Sequence, residues 1–304
     1  MKKNVVVMVA AAVALVSASG AVSAQELTGR LKKIKDTGVI TLGVRDASIP
    51  FSYLDDNQKA IGYSIDICHG IADAVKAELK LSKLEVKHTA VTSATRIPLI
   101  ANGTVDLECG STTNNTERQQ QVSFAPTTFV TATRFVAKKA GNFSDLADFK
   151  GKTVVSTAGT TNLKWLTEVN AKENLGMSII PAKDHAEAFL MVDSGRASAF
   201  FMDDILLYGL VANSKAPADW MVGTKAYTVE PYAIMEPKGD ADFKKVADAA
   251  VVAMIKSGQV EKLYTKWFQT TIPPRNINLN VPVGDPLKKA FANPTDSGEG
   301  KDYQ

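Results

Sequence analysis

The sequence predicts an α/β protein with two lobes. Strand-like runs alternate with helix-like runs from Val39 onward, a pattern that favours largely parallel sheets with helices on their faces. A second series of the same kind opens after Gly151. Two long extended segments, near residues 131–136 and 228–233, lie where the two series join. We therefore expect the chain to cross between two lobes twice, with a candidate site in the cleft between them.

Hydrophobic periodicity defines the first series. Apolar positions from Ile65 to Leu79 recur at helical spacing, and a short helix at Ile97 ends at Asn102-Gly103. The predicted strands, the last of them a longer extended run, are residues 39–44 (VITLGV), 84–91, 105–109 (VDLEC) and 129–136.

The second series repeats this order. Asp184 can cap a helix that ends near Gly195. The other helices are predicted at residues 162–175 and 243–254, with a short one reaching Phe268. The predicted strands and return segment are residues 153–156, 178–181, 197–202 (ASAFFM) and 227–235.

The N-terminus has the features of a secretory signal peptide. Lys2 and Lys3 precede an apolar run over residues 5–16, and small residues end at Ala24, which suits cleavage before Gln25. The run is too short for a helix across ~30 Å of hydrocarbon. We therefore expect export to the periplasm, without a lipid anchor because no lipobox cysteine follows the run.

These patterns divide the chain into four parts. The expected parts are a signal peptide at 1–24, a first lobe at 25–133 that resumes at 229–270, a second lobe at 134–228, and a C-terminal tail at 271–304. The tail is polar after Pro273-Pro274, with one predicted helix capped by Asp285. We expect the tail to pack on the lobes without contributing chemistry.

Composition and charge exclude several classes of function. Hydrophobic residues make up 45% and charged residues 22%, as in ordinary soluble globular proteins. The formal net charge is +3, from 35 Lys and Arg against 32 Asp and Glu, and loss of Lys2 and Lys3 leaves +1. Nothing global suggests a nucleic-acid partner. Phosphate loops, nucleophile elbows and metal-ligand spacings are absent from the sequence, so we expect no cofactor, and we expect a monomer.

The two cysteines leave two alternatives open. Cys68 falls on a predicted helix and Cys109 ends a predicted strand of the same half. An oxidising compartment permits a disulfide between them, and two small buried residues are the other interpretation.

Polar residues follow the predicted strands at their carboxyl ends, the edge where open α/β sheets bind ligands. Three arginines, several hydroxyls and a helix N-terminus at Thr161 suit carboxylates. Asp203 supplies a fixed negative charge for an ammonium group. Two carboxylates and one ammonium describe glutamate or aspartate. The predicted ligand-binding residues are Arg45, Ser93, Arg96, Ser111, Thr113, Arg118, Thr161, His185 and Asp203.

Longer motifs make the sequence resemble a known family. They are VRDASIPFSY around Arg45, TSATRIPLIANGTVDLECGSTTNNTERQ from Thr92 onward, AGTTN, AKDH, SGRASAFFMDD and KWFQTTIPPRNINLN. The chain resembles the periplasmic amino-acid-binding proteins of ABC importers, within family 3 of the bacterial extracellular solute-binding proteins, and most closely the glutamate/aspartate-binding members. The resemblance covers nearly the whole mature chain. Ser64 departs from a position that is usually acidic, a difference we expect to affect only a lobe surface.

The resemblance implies a type II periplasmic-binding-protein fold, two hinge-connecting segments and a role for each site residue. Arg118 with Ser111 and Thr113 would hold the α-carboxylate, assisted by Thr161, and Asp203 would take the ammonium group. The resemblance further implies that the ligand is L-glutamate or L-aspartate and that the partners are the membrane subunits of an ABC importer. The side-chain carboxylate would be held by Arg45, Ser93, Arg96 and His185.

Two other functions use related scaffolds. A periplasmic dehydratase would need a general acid at the leaving group, whereas the residues at these strand ends are better suited to holding charges. The sensor lobe of a receptor would need a transmembrane segment, and no later segment of the sequence resembles one. We therefore expect a binding protein rather than an enzyme.

Overall fold

The computed structural model describes residues 26–304 of the chain. The predicted signal peptide, with its cleavage near Ala24, lies outside the described residues. Within the described part of the chain, no helix combines the length and the apolar character that a membrane crossing requires.

The elements of the first half follow the predicted order, with additions. The helices are α1 (Gly29–Thr37), α2 (Tyr63–Glu78) and α3 (Arg96–Ala101). The strands are β1 (Val39–Val44), β2 (Ala47–Ser48), β3 (Ser52–Leu54), β4 (Ala60–Ile61), β5 (Glu85–Ala90), β6 (Leu107–Glu108) and β7 (Val122–Phe124). Helix α1 and the small sheet of β2, β3 and β4 were not predicted, because these segments are too short or too polar to show a period.

The second half contains the remaining elements. The strands are β8 (Phe129–Thr131), β9 (Thr133–Lys138), β10 (Thr153–Thr157), β11 (Ser178–Ala182), β12 (Phe200–Asp203), β13 (Trp220–Val222), β14 (Glu230–Tyr232) and β15 (Met235–Pro237). The helices are α4 (Thr161–Lys172), α5 (His185–Asp193), α6 (Asp204–Ala212), α7 (Ala241–Lys256), α8 (Gln259–Tyr264) and α9 (Asp285–Ala292).

Two five-stranded sheets form the two predicted lobes. The first sheet has the order β5-β1-β6-β15-β7 and the second has the order β11-β10-β12-β9-β13. Strands β8 and β14 connect the sheets and pair with each other, with Glu230 opposite Thr131 and Tyr232 opposite Phe129. This pair of strands is the hinge, and it places Glu230 and Tyr232 between the lobes.

The expectation of largely parallel sheets is only half right, because both sheets are mixed. Strands β5 and β6 lie parallel to β1, but β15 runs antiparallel to β6 and β7. Similarly, β9 runs antiparallel to β12 and β13. Both β9 and β15 enter their sheets directly from the hinge, whereas a parallel neighbour would need a long crossover connection.

Several predicted element boundaries differ from the structure, and three of the differences concern the cleft, the hinge or the tail. Strand β12 begins at Phe200, three residues after the predicted start, and includes Asp203. The extended run 129–136 is interrupted at Ala132, so that β8 belongs to the hinge and β9 to the second sheet. Helix α9 includes Asp285, and Gly284 takes the capping position instead.

The core of the first lobe is a helix packed on a strand and joined by a covalent bond. Ile40 and Leu42 of β1 are fully buried, as are Cys68 and Ile71 of α2. The sulfurs of Cys68 and Cys109 are bonded, so the structure has the first of the two arrangements left open by the sequence. The bond ties α2 to the residue that follows β6, next to the loop that carries Ser111.

The tail packs against both lobes. Tyr53 of the first lobe donates a hydrogen bond to the Pro273 carbonyl at 2.7 Å, and Arg275 donates to the carbonyl of Asn213 at the end of α6 at 2.7 Å. Leu287 and Tyr303 are buried. This agrees with the expectation that the tail wraps the protein.

Candidate functional site

The structure brings the nine predicted residues together along the gap between the lobes. Eight of them are buried and Thr161 is half-buried. Arg45 follows β1, Ser93 and Arg96 follow β5, Ser111, Thr113 and Arg118 follow β6, Thr161 and His185 begin α4 and α5, and Asp203 ends β12. Six of the nine therefore come from the first lobe and three from the second.

Helix caps fix the two helix starts that reach the cleft. The Thr160 hydroxyl accepts a hydrogen bond from the Leu163 amide at 3.1 Å, and the Asp184 carboxylate accepts one from the Glu187 amide at 2.9 Å. Each cap pairs a backbone donor that the first turn would otherwise leave free. Thr161 and His185 are consequently held in the first turns of α4 and α5.

Arg45 links the two lobes at one end of the cleft. Its Nη2 donates to the Ser93 hydroxyl at 3.0 Å and lies 3.5 Å from Nε2 of His185 in the second lobe. Burial lowers the pKa of Arg45 to about 10, and the charge of Arg96 adds to that fall while Glu108 opposes it. The group remains charged at neutral pH. A cavity of about 190 Å³ lies at this end, lined by Arg45 and His185 among others.

His185 is a neutral partner for these cations. Its Nδ1 is 2.8 Å from the hydroxyl of Thr157, which fixes the ring. Burial, together with the positive charges of Arg45 and Arg96, holds the pKa of His185 well below its ordinary value. The imidazole therefore brings hydrogen-bonding capacity to this end of the cleft without adding charge near pH 7.

Arg96 is near enough to both other arginines for its positive charge to lower the pKa of each. Its Nη1 donates to the carbonyl of Ser111 at 3.0 Å and to the hydroxyl of Thr112. The Thr112 hydroxyl in turn donates to the carboxylate of Glu108, a fully buried residue of β6. Glu108 is thus a fixed anion behind the arginines, a role that its position beside Cys109 did not reveal.

Arg118 belongs to the first lobe but contacts the second. Its Nη1 donates to the Thr113 carbonyl at 2.8 Å and its Nη2 donates to the Gly159 carbonyl at 3.2 Å. Burial lowers the pKa of Arg118 to about 10, and the charge of Arg96 contributes. Gly159 has a φ of +77°, and a Cβ there would lie 2.6 Å from Cα of Ala94, so glycine permits this close approach of the lobes.

Asp203 is a buried carboxylate at the other end of the cleft. It accepts hydrogen bonds from Asn162 at 2.7 Å and from the hydroxyl of Tyr232 in the hinge. Burial raises the pKa of Asp203 to about 7, Glu230 adds to the rise, and the two hydrogen bonds oppose it. The charged form of Asp203 would be stabilised by a cation placed beside it.

The sequence did not identify several side chains of the cleft. Glu230, buried on the hinge strand, accepts a hydrogen bond from the Thr161 hydroxyl at 2.9 Å. Tyr232 and Asn162 hold Asp203, as described above. Asn162 lies within the AGTTN motif and could have been found there, whereas Glu230 and Tyr232 sit in an extended segment that carries no motif. Ser64 also differs from expectation, because it is buried and donates to the Gly110 carbonyl at 2.8 Å.

Three buried hydrogen-bond donors in the cleft have no partner among the described residues. They are Nη1 of Arg45, Nε of Arg96 and the hydroxyl of Ser111. Leaving a buried polar group unpaired costs free energy, and more when the group is charged. One buried acceptor beside them, Oε1 of Glu108, is also unpaired. Unpaired donors therefore outnumber unpaired acceptors in the cleft, a condition that a bound anion would relieve. No group of three metal-ligating side chains occurs within residues 26–304.

Residues 40–270 match the bacterial extracellular solute-binding proteins, family 3. The chain belongs to this family. The resemblance inferred from the motifs is confirmed.

Similar proteins support the assignment to this family at closer range. An L-glutamate/L-aspartate-binding protein of Pseudomonas aeruginosa is 56% identical over 279 residues, covering 91% of this chain and 92% of that protein. A glutamate/aspartate import solute-binding protein of Escherichia coli is 46% identical over 266 residues, 88% of each chain. The solved structure of an ancestral arginine-binding protein bound to arginine is 27% identical, with a TM-score of 0.69 over 76% of this chain and 98% of that one. The predicted fold class is confirmed.

Proposed function

We propose that this chain captures L-glutamate or L-aspartate between its lobes and delivers it to the membrane subunits of an ABC importer. The observation that carries the proposal is the meeting of three buried arginines, two of which have an unpaired donor, and one buried aspartate in a single cleft. Relatives at 56% and 46% identity carry names with the same ligands. The protein acts as a monomer in the periplasm, after removal of residues 1–24.

The charges of the cleft divide the ligand between its two ends. Arg118, Ser111 and Thr113 hold the α-carboxylate with help from Thr161, and Asp203 receives the ammonium group. Planar guanidinium groups suit carboxylates because they offer two parallel donors. The side-chain carboxylate is held by the opposite end, formed by Arg45, Ser93, Arg96 and His185.

Capture depends on closure of the two lobes. The first lobe supplies all three arginines, so an acidic ligand binds there first. Closure then adds Asp203 and Thr161 from the second lobe, and the ligand stabilises the closed form because only that form offers both sets of contacts. The contacts of Arg118 with Gly159 and of Arg45 with His185 support this account, because both cross the gap. The importer recognises the closed form.

A dehydratase on the same scaffold is the alternative function. The buried titratable groups of the cleft include His185, Asp203, Glu230 and Tyr232, and each of these is already hydrogen-bonded to a neighbouring side chain. The similar proteins described above are named as binding proteins. These observations favour reversible binding, in which the ligand leaves unchanged.

Native mass spectrometry of the purified protein tests the proposal. Glutamate, aspartate, glutamine and arginine are added separately, and the bound fraction is measured before and after denaturation. We expect a one-to-one complex with each acidic amino acid and recovery of the same ligand mass. A complex with arginine but not with glutamate or aspartate would overturn the proposal, and a ligand recovered as a dehydrated product would favour the enzyme.

A further inference from the structure

The last residues of the tail lie directly behind the loop that carries Thr113 and Arg118. We call residues 294–304 the C-terminal clamp. The backbone carbonyl of Asp296 accepts a hydrogen bond from the Asn114 side chain at 2.8 Å and another from the Gln119 side chain at 2.8 Å. Asn114 follows Thr113 and Gln119 follows Arg118 in the sequence. One carbonyl of the clamp therefore joins the two ends of this loop.

The two amide side chains also bind each other. The Gln119 side chain donates to Oδ1 of Asn114 at 2.8 Å, and Asn114 is fully buried. The backbone amide of Asn114 donates to the carbonyl of Pro231 in the hinge strand β14 at 2.7 Å. The loop is thus fixed on one side by the hinge and on the other by the clamp.

Independent contacts hold the clamp in place. The buried hydroxyl of Tyr303 lies 2.8 Å from the hydroxyl of Thr127, and the Thr127 amide donates to the carbonyl of Thr295 at 2.9 Å. The carboxylate of Asp296 lies 3.0 Å from Nζ of Lys244. These contacts all involve the first lobe, so the clamp moves with that lobe.

Gly298 allows the clamp to approach the loop closely. A Cβ at this position would lie 2.7 Å from the backbone carbonyl carbon of Asn115 and 2.7 Å from the amide nitrogen of Thr116. Both atoms belong to the backbone, so neither can rotate away. Any larger residue at position 298 would push the clamp and the loop apart.

We propose that the C-terminal clamp is a positioning element for the ligand, which fixes Arg118 and Thr113 in the geometry that grips a carboxylate. The proposal rests on the function given above, which assigns these two residues to the ligand. The clamp lies beyond the part of the chain that matches the family, which ends at residue 270. None of its residues is among the predicted ligand-binding residues, so the clamp acts through Asn114, Gln119 and the backbone of the loop.

Titration calorimetry with glutamate on two matched variants tests the clamp. Gln119→Ala removes both hydrogen bonds of its side chain, whereas Gln120→Ala changes an exposed neighbour whose backbone carbonyl, not its side chain, accepts from Lys238. We expect Gln119→Ala to weaken glutamate binding about five- to tenfold, and Gln120→Ala to leave it unchanged. The Arg118 Nε–H resonance in NMR spectra of the ligand-free protein should shift in Gln119→Ala only.

A second pair of variants tests the same contact from the side of the clamp. Gly298→Ala forces the clamp from the loop, whereas Gly284→Ala meets only Cδ of Pro286 at 3.7 Å. Gly298→Ala should weaken glutamate binding by a similar factor. The double variant Gln119→Ala/Gly298→Ala should lose no more glutamate affinity than either single variant, because both substitutions break the same contact between the clamp and the loop.

The outcomes of these experiments distinguish a failure of the clamp proposal from a failure of the proposed function. Glutamate affinity unchanged in both Gln119→Ala and Gly298→Ala would overturn the positioning role while the proposed function stands. Losses that add in full in the double variant, without a shift of the Arg118 resonance, would also overturn it. Failure of the unmodified protein to bind any acidic amino acid would instead overturn the proposed function.

Discussion

Two clusters of charge, one buried in the cleft and one half-buried at the base of the tail, differ in their balance of hydrogen-bond donors and acceptors. In the cleft, Nη1 of Arg45 and Nε of Arg96 have no partner among the described residues. At the base of the tail, Nζ of Lys244 donates to the Phe124 carbonyl at 2.7 Å. The same ammonium group contacts three carboxylates at 2.9–3.1 Å, those of Glu236, Asp248 and Asp296. The cleft has surplus donors, whereas the Lys244 cluster has surplus acceptors.

This difference in donors and acceptors indicates a binding role for the cleft and a structural role for the Lys244 cluster. Burial alone would lower the pKa of Lys244, but the three carboxylates outweigh it and raise the pKa above its ordinary value. The ammonium group of Lys244 is fully paired without a ligand, although Oε2 of Glu236 has no partner among the described residues, so these ions contribute to the free energy of folding. The cleft needs an anion from outside. Variants of the cleft should therefore change affinity, and variants of the Lys244 cluster should change stability.

The largest effect is expected from Arg96→Ala. The change removes one of the three buried guanidinium groups of the cleft and leaves Glu108 and the ligand carboxylate poorly paired. We expect glutamate affinity to fall about a thousandfold, or about 4 kcal/mol, in titration calorimetry. Arg196→Ala, on an exposed turn after α5, is the matched control and should bind as the unmodified protein does. Tight binding by Arg96→Ala would remove this residue from the site.

Lys244→Ala tests whether the Lys244 cluster contributes to stability rather than to binding. It leaves the buried Glu236 without its cation, so the free energy of unfolding in urea should fall by about 3 kcal/mol. Glutamate affinity should fall less than tenfold, through the contact with Asp296 alone. The neighbouring, exposed Lys245→Ala is the control and should change neither quantity. A large loss of affinity with unchanged stability would reverse the assignment of the two clusters.

A smaller effect is expected from pH. Burial raises the pKa of Asp203 to about 7 in the structure. An ammonium group favours the charged form, so binding below pH 7 must release a proton. Affinity should therefore rise roughly tenfold per unit as pH increases toward 7 and should be flat above it. Asp203→Asn cannot release this proton, so a slope that persists in that variant would assign the pH dependence to another group.

The sequence was sufficient to place three arginines and Asp203 at the cleft. Strand β1 matches the predicted residues 39–44, and the next residue, Arg45, lies at the edge of the sheet where parallel strands end. Asp203 lies at the end of its strand for the same reason. Arg96 and His185 could be placed because helix starts follow strands by short turns. Local periodicity and turn chemistry are therefore enough for residues whose position depends on one element.

Residues whose role depends on distant contacts were not predicted. Tyr232 reaches Asp203 only because β14 pairs with β8, and no periodic pattern encodes this pairing. Glu108 is linked to Arg96 only through the hydroxyl of Thr112, and its apolar sequence neighbours gave no sign of this contact. The direction of β9 and β15 also depends on how the chain enters from the hinge. Alternation of apolar residues predicts that a strand exists but not which neighbour it pairs with.

Calorimetric comparison of L-glutamate with L-glutamine tests whether the cleft selects a second carboxylate on the ligand. The two ligands have nearly the same size, and the amide leaves guanidinium donors of Arg45 and Arg96 poorly paired at a cost of about 1 to 3 kcal/mol or more. Glutamine should therefore bind at least tenfold more weakly than glutamate. Equal affinities for glutamate and glutamine would show that the cleft does not select a second carboxylate.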